Sequence, residues 1–175
     1  MKIMTKKINL KIIIEETAER HPVPVLGTDY KVKIIYKNIK VAELDVEDKI
    51  IKISLPNKYK KANNEKILDM AIDKMYEQIA KVEVERAMEK TRILLGFAPE
   101  DYIIEKINDK LGKCEDKKIT INPEIVKYDR NIIDYIVLHQ YCHLKYKSHC
   151  KSFTEMLEKY EPNYKKYERI VPNNI

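Results

Sequence analysis

LHQYCHLKYKSHC, residues Leu138–Cys150, holds three of the chain's four histidines. His139 and His143 are four positions apart, and His149 follows six later. On a helix, residues i and i+4 share a face, with Cβ atoms about 5–6 Å apart. Two imidazoles placed so can converge on one ion at a Zn–N distance of about 2.0–2.1 Å. His149 falls beyond the expected helix end, and a turn through Lys147-Ser148 can swing it back. Three protein ligands with a fourth position open is the catalytic zinc pattern, as distinct from the closed structural one. The spacing is that of HExxH, but Gln140 stands where that pattern has Glu. Cys142 is three positions from His139 and points off the ligand face, while Cys150 would compete sterically with its neighbour His149. Both cysteines read as packing or surface thiols. Cys114 is remote in sequence and its role is open.

Outward from this stretch, 175 residues suit one domain over 1–175, long enough to bury an ordinary core. An odd set of three cysteines makes no disulfide framework and suits a reducing cytoplasm. No run of about 18 apolar residues exists to span a membrane. The opening MKIMTKKINLKIIIEETAER has a basic start, but its apolar stretch contains Lys11 and runs into Glu15 and Glu16. That is unlike a signal peptide and reads as an amphipathic helix over 8–20. The net charge of +6, with 35% charged residues, permits nucleic acid as a partner. The lysines are interspersed with acids, the pattern of an ordinary solvated surface, so nucleic acid is not the favoured partner.

The remaining pattern predicts an α+β domain. His21, at the end of the first helix, reads as a surface or capping residue, and Pro22 and Pro24 stop that helix. Residues between Tyr30 and Leu55 alternate lysines with β-branched positions and predict three strands, the last two joined by a tight hairpin at EDK. A helix over 64–95 follows, capped by Asn63 or Asn64 and stopped at Gly96. Its positions Ile67, Met70, Ala71, Met75, Ile79, Val82 and Met88 read as core. The segment after Gly96 is ambiguous, with a possible strand around Tyr102–Ile104. A strand over Lys118–Asn122 and helices over 131–147 and 151–160 complete the reading, with a polar Tyr/Lys tail after Glu161-Pro162. In the first of these helices Ile133, Ile136, Val137 and Leu144 are expected to bury one side.

The segment IIDYIVLHQYCHLKYKSHCKSFTEMLEKYEPNYKKYERI resembles the YgjP-like zinc metallopeptidases, related to the SprT and WLM groups. That family carries V-V-H-E-[LY]-x-H-L-x-x-x-x-H-S-x-x-F-W and then a helix ending in M-P-[DN]-Y. His139, His143, Leu144, His149, Phe153 and Glu161-Pro162-Asn163-Tyr164 sit in register with it. Upstream, Gly112, Cys114, Ile119 and Asn122 match W-G-S-C-x-x-x-G-x-I-x-[LIF]-N, with Leu111 at the family's Trp. VPVLGTDYKVKI is similar to the earlier F-L-G-x-x-Y-x-[LV] strand. The resemblance implies a zincin-like fold with a small, mostly antiparallel sheet packed on the zinc helix. It implies zinc held by His139, His143 and His149 within a zinc-site region 131–165, and KKITIN as the strand beside the cleft.

The family's Glu, the general base, is Gln140 here. An amide has nearly the shape of a carboxylate but cannot accept the proton from water, and loss of a general base costs about 10²–10⁴ in rate. The chain is therefore expected to be a zinc metallopeptidase acting on peptides or proteins, inactive or crippled as written. The alternatives are a non-catalytic zinc-binding pseudoprotease that holds peptides or protein partners, and a DNA-associated SprT-like protein. The intact residues around Gln140 favour a recent or deliberate replacement over long drift. Asp134 and Glu155 are not spaced to substitute as the base.

Overall fold

The computed structural model describes residues 22–60, 65–171 and 175. The expected helix over 8–20, His21, and the caps Asn63 and Asn64 lie outside the described residues.

Within them the chain is α+β. Strands β1 (Val23–Val25), β2 (Thr28–Lys37), β3 (Glu43–Glu47) and β4 (Ile50–Pro56) form one sheet in the order β1-β2-β4-β3. Strands β5 (Asp101–Ile104), β6 (Gly112–Glu115) and β7 (Lys118–Ile121) form a second, in the order β5-β7-β6. The expected predominance of antiparallel pairing holds narrowly. β2 runs parallel to β4 and β5 parallel to β7, while the other three pairs are antiparallel.

Tight hairpins set the registers. Asp48 and Lys49, between β3 and β4, both have positive φ, as do Asp116 and Lys117 between β6 and β7. Two consecutive left-handed residues match the twist of the flanking strands. The β1–β2 turn, Leu26-Gly27, has the same form and docks on the short 3-10 helix Pro123–Lys127 through Leu26 N–H to the Val126 carbonyl (2.7 Å). Gly27 is required twice over, because its φ is +75° and a Cβ there would come within 2.9 Å of the Cβ of Asp129.

Four helices follow the patterns that encode them. α1 (Glu65–Leu95) ends at Gly96, whose φ of +74° and N–H bond to the Arg92 carbonyl (2.9 Å) make it the left-handed stop. Its buried side is Leu68, Ile72, Met75, Tyr76, Ala80, Val84, Ala87 and Met88, with Glu83 and Thr91. Met70 and Val82, expected in the core, are 63% and 67% exposed. α2 (Arg130–Lys145) is capped by Asp129, whose carboxylate accepts from the N–H groups of Asn131 and Ile132. Its whole middle, Ile132 to Cys142 apart from Asp134, is buried, more than the one side expected. α3 (Lys151–Tyr160) follows, and the tail read as polar instead holds a short helix, α4 (Tyr164–Ile170), anchored by buried Tyr164 and Val171. No helix among the described residues is long and apolar enough to cross a membrane.

Candidate metal centre

α2 carries His139 and His143 on one face, and the chain reversal after Lys145 returns His149 to them. His139 Nε2 lies 3.2 Å from His143 Nε2 and 3.0 Å from His149 Nε2. Four nitrogens at about 2.0–2.1 Å from zinc in a tetrahedron would stand about 3.3 Å apart; the two spacings to His139 are near that value, and all three ligand atoms lie within 4.8 Å of one another. The cluster grades from His139, 3% exposed, through half-buried His143 to exposed His149. It therefore has a buried floor and an open rim.

The protonation states suit metal binding. Burial, helped by His143 and His149, pushes the His139 imidazole down to about 3, so the ring is neutral near pH 7. Burial also lowers His143, opposed by its bond to the Tyr146 carbonyl. That bond fixes the His143 tautomer. Nδ1 lies 3.0 Å from a carbonyl oxygen that can only accept, so Nδ1 carries the proton and Nε2 presents a lone pair to the cluster. His139 Nε2 thus faces two further ring nitrogens, one of them the lone pair of His143. His139 Nδ1 is buried without a partner among the described residues.

Gln140 sits between the two α2 histidines in sequence and is 1% exposed. Neither its amide oxygen nor its nitrogen has a hydrogen-bond partner among the described residues. Its side chain lies against β6, and a Cβ on Gly112 would come within 3.1 Å of Gln140 Cγ and Nε2. The strand beside the site is thus β6, an edge strand of its sheet, and not KKITIN, whose β7 is the central strand with Ile119 and Ile121 fully buried. A groove of about 690 Å³ runs along this edge, bringing Cys114 and Glu115 of β6 to His143 and Leu144. A larger hollow of about 740 Å³, between α1 and β5, is lined by charges of both signs and holds no histidine or cysteine.

The model of the YgjP-like metallopeptidase domain matches residues 3–174. The chain belongs to this family. Its function is accordingly of the metallopeptidase type, and the three-histidine cluster is where the fold can hold a metal. Among solved structures the chain is similar to the metallopeptidase zymogen abylysin of Pyrococcus abyssi, at 24% identity over 50% of this chain and 90% of that one, with a TM-score of 0.46. It is similar also to the metallopeptidase zymogen jannalysin of Methanocaldococcus jannaschii, at 22% identity over 53% and 97%, with a TM-score of 0.45. No curated protein matches.

The other residues singled out in sequence lie apart from the cluster. Burial pushes the Cys142 thiol up to about 12, so this fully buried side chain is packing. Cys150 is exposed ahead of α3, and Cys114 is half-buried in the groove, outside the set of convergent ligand atoms. Asp134 is held by Arg86 (2.7 Å) and Lys90 (2.6 Å) of α1, and Glu155 lies on the surface near Lys151 (3.6 Å). Sequence reasoning missed one contributor, the Tyr146 carbonyl, because it is placed by the chain reversal after α2; Phe153, named by the family pattern, lies in α3 against the three imidazoles.

Proposed function

We propose that the chain binds one zinc ion through His139, His143 and His149 and is a metallopeptidase for peptide or protein substrates, crippled by Gln140. The observation that carries this reading is the convergence of the His143 and His149 Nε2 atoms, at 3.2 and 3.0 Å, on that of buried His139. Bound zinc would acidify a water molecule and polarise the scissile carbonyl. His139 and His143 would hold the metal from one face of α2, with His149 closing the set from the rim. Among the described residues β6 is an edge strand beside the groove, where an extended peptide could add as a strand. Gln140 can donate or accept a hydrogen bond at its place, but its amide cannot take a proton from water. The general-base step is the one this chain lacks.

Paired kinetics on the zinc-loaded protein and its Gln140→Glu variant test this, with an unfolded protein mixture as substrate. The expected gain is about 10²–10⁴ in turnover, with substrate affinity little changed because the group acts in the transition state. Equal, measurable activity in both forms would assign the base to another residue.

A second reading has its own support. Gln140 is a neutral amide, unsuited to proton transfer, and neither its oxygen nor its nitrogen has a hydrogen-bond partner among the described residues. In that reading the chain is a zinc-dependent peptide-binding pseudoprotease. It would retain peptides on a zinc-loaded column and release them with chelator, and Gln140→Glu would leave turnover at zero. A DNA-associated role has no comparable support, since among the described residues the histidine triad is the one cluster of metal-binding type.

A further inference from the structure

The three histidines share one neighbour. The ring centroid of Phe153 lies 4.9 Å from that of His139, 4.7 Å from His143 and 4.7 Å from His149. The imidazole centroids themselves stand 4.9–5.0 Å apart. Four rings thus occupy the corners of a nearly regular tetrahedron, with Phe153 at the apex over the three imidazoles. Phe153 is 2% exposed, in the first turn of α3, four residues after His149.

We propose that Phe153 is the positioning residue of this metal centre, holding the three imidazoles converged and closing the back of the set. The inference rests on the three-histidine reading above and goes beyond it. Two features make Phe153 more than core filling. His149 is exposed and precedes α3, and its ring packs on three others in the cluster, those of Phe153, His139 and His143. A ring held in place before the metal arrives does not have to be ordered on binding, which raises affinity. The apex also has a side. Phe153, buried and in ring contact with all three imidazoles, covers the α3 side of the set and excludes water from it.

The test compares zinc affinity and the visible spectrum of the Co²⁺-loaded protein in three forms. These are the wild type, Phe153→Leu and Leu157→Ala. Phe153→Leu keeps most of the apolar volume but removes the flat ring. Leu157 is one turn further along the same helix and equally buried at 2%. It controls for loss of core packing. Phe153→Leu is expected to weaken zinc binding 10–100-fold, the range for residues that orient metal ligands. It should also shift the cobalt spectrum towards the weaker absorption of higher coordination numbers. Leu157→Ala is expected to lower the melting temperature and leave zinc affinity and spectrum as in the wild type. Zinc binding by Phe153→Leu equal to the wild type, or an equal loss in Leu157→Ala, overturns the positioning role alone. Absence of zinc binding by the wild type overturns the metal reading and this inference with it.

Discussion

At position 140 the chemistry depends on one atom. The fold gives Gln140 a tight seat against Gly112, where the Cβ of any other residue would approach its Cγ, Nε2 and Cδ at 3.1–3.2 Å. Gly112→Ala is therefore expected to push either β6 or Gln140 aside and to cost about 1–3 kcal/mol, the usual penalty for overfilling a packed site. Denaturant unfolding of the variant reads this directly, and unchanged stability would mean that the seat is loose. Much of the site was legible before the fold was known. The four-residue spacing of His139 and His143 needs only helical geometry, and Lys147-Ser148 marks the turn that returns His149. Gln140 is named by its place between them. The tautomer of His143 was not legible, because the Tyr146 carbonyl reaches it only after the helix has ended.

Among the elements, α1 and α2 are locked by buried charge. Glu83, 4% exposed on α1, accepts two bonds at 3.0 Å and one at 2.6 Å from Arg130 at the start of α2, and Arg86 adds a further bond at 3.0 Å. These partners, Arg130 first, hold the Glu83 carboxyl below its ordinary value of 4.5. A depressed carboxylate contributes stability that is fully present above its unfolded value and lost as pH falls through the folded one. Glu83→Gln should therefore be less stable than wild type at pH 7 by about 1–3 kcal/mol, a figure below that for fully buried pairs because Arg130 is largely exposed. The gap should narrow as the pH drops below about 4.5. Thermal melts at several pH values check both points, and a gap independent of pH would remove the charge explanation. The helices that carry this lock were readable from their apolar periodicity and, for α1, from its stop at Gly96, and α1 ends at the expected residue 95. Pairing was less readable. β1 is three residues with a central Pro24, which reads as punctuation. β6 shows no alternation and is a strand because Asp116-Lys117 folds it onto β7. The parallel match of β2 with β4 depends on a partner 19 residues away that periodicity does not name. Met70 and Val82 are exposed because over 31 residues a 3.6-residue helix drifts away from a stripe built of three- and four-residue steps.

For the whole molecule, folding and metal binding are coupled on this reading. The histidine set joins the middle of α2 to the segment before α3, so an ion held there would stabilise the folded chain by mass action. At a free concentration 100 times its dissociation constant a ligand adds about 2.7 kcal/mol. A chelated sample should therefore melt at a lower temperature than a zinc-loaded one, and zinc should restore it. The decisive quantity is the metal itself. Elemental analysis of protein purified at neutral pH without chelator, set beside calorimetric titration of zinc into chelator-stripped wild type and His143→Ala, measures it. One zinc per chain in the wild type, with binding sharply weakened in His143→Ala, is the predicted result. Wild-type protein that carries no transition metal and takes up no zinc, or a His143→Ala variant that binds as the wild type does, would contradict it.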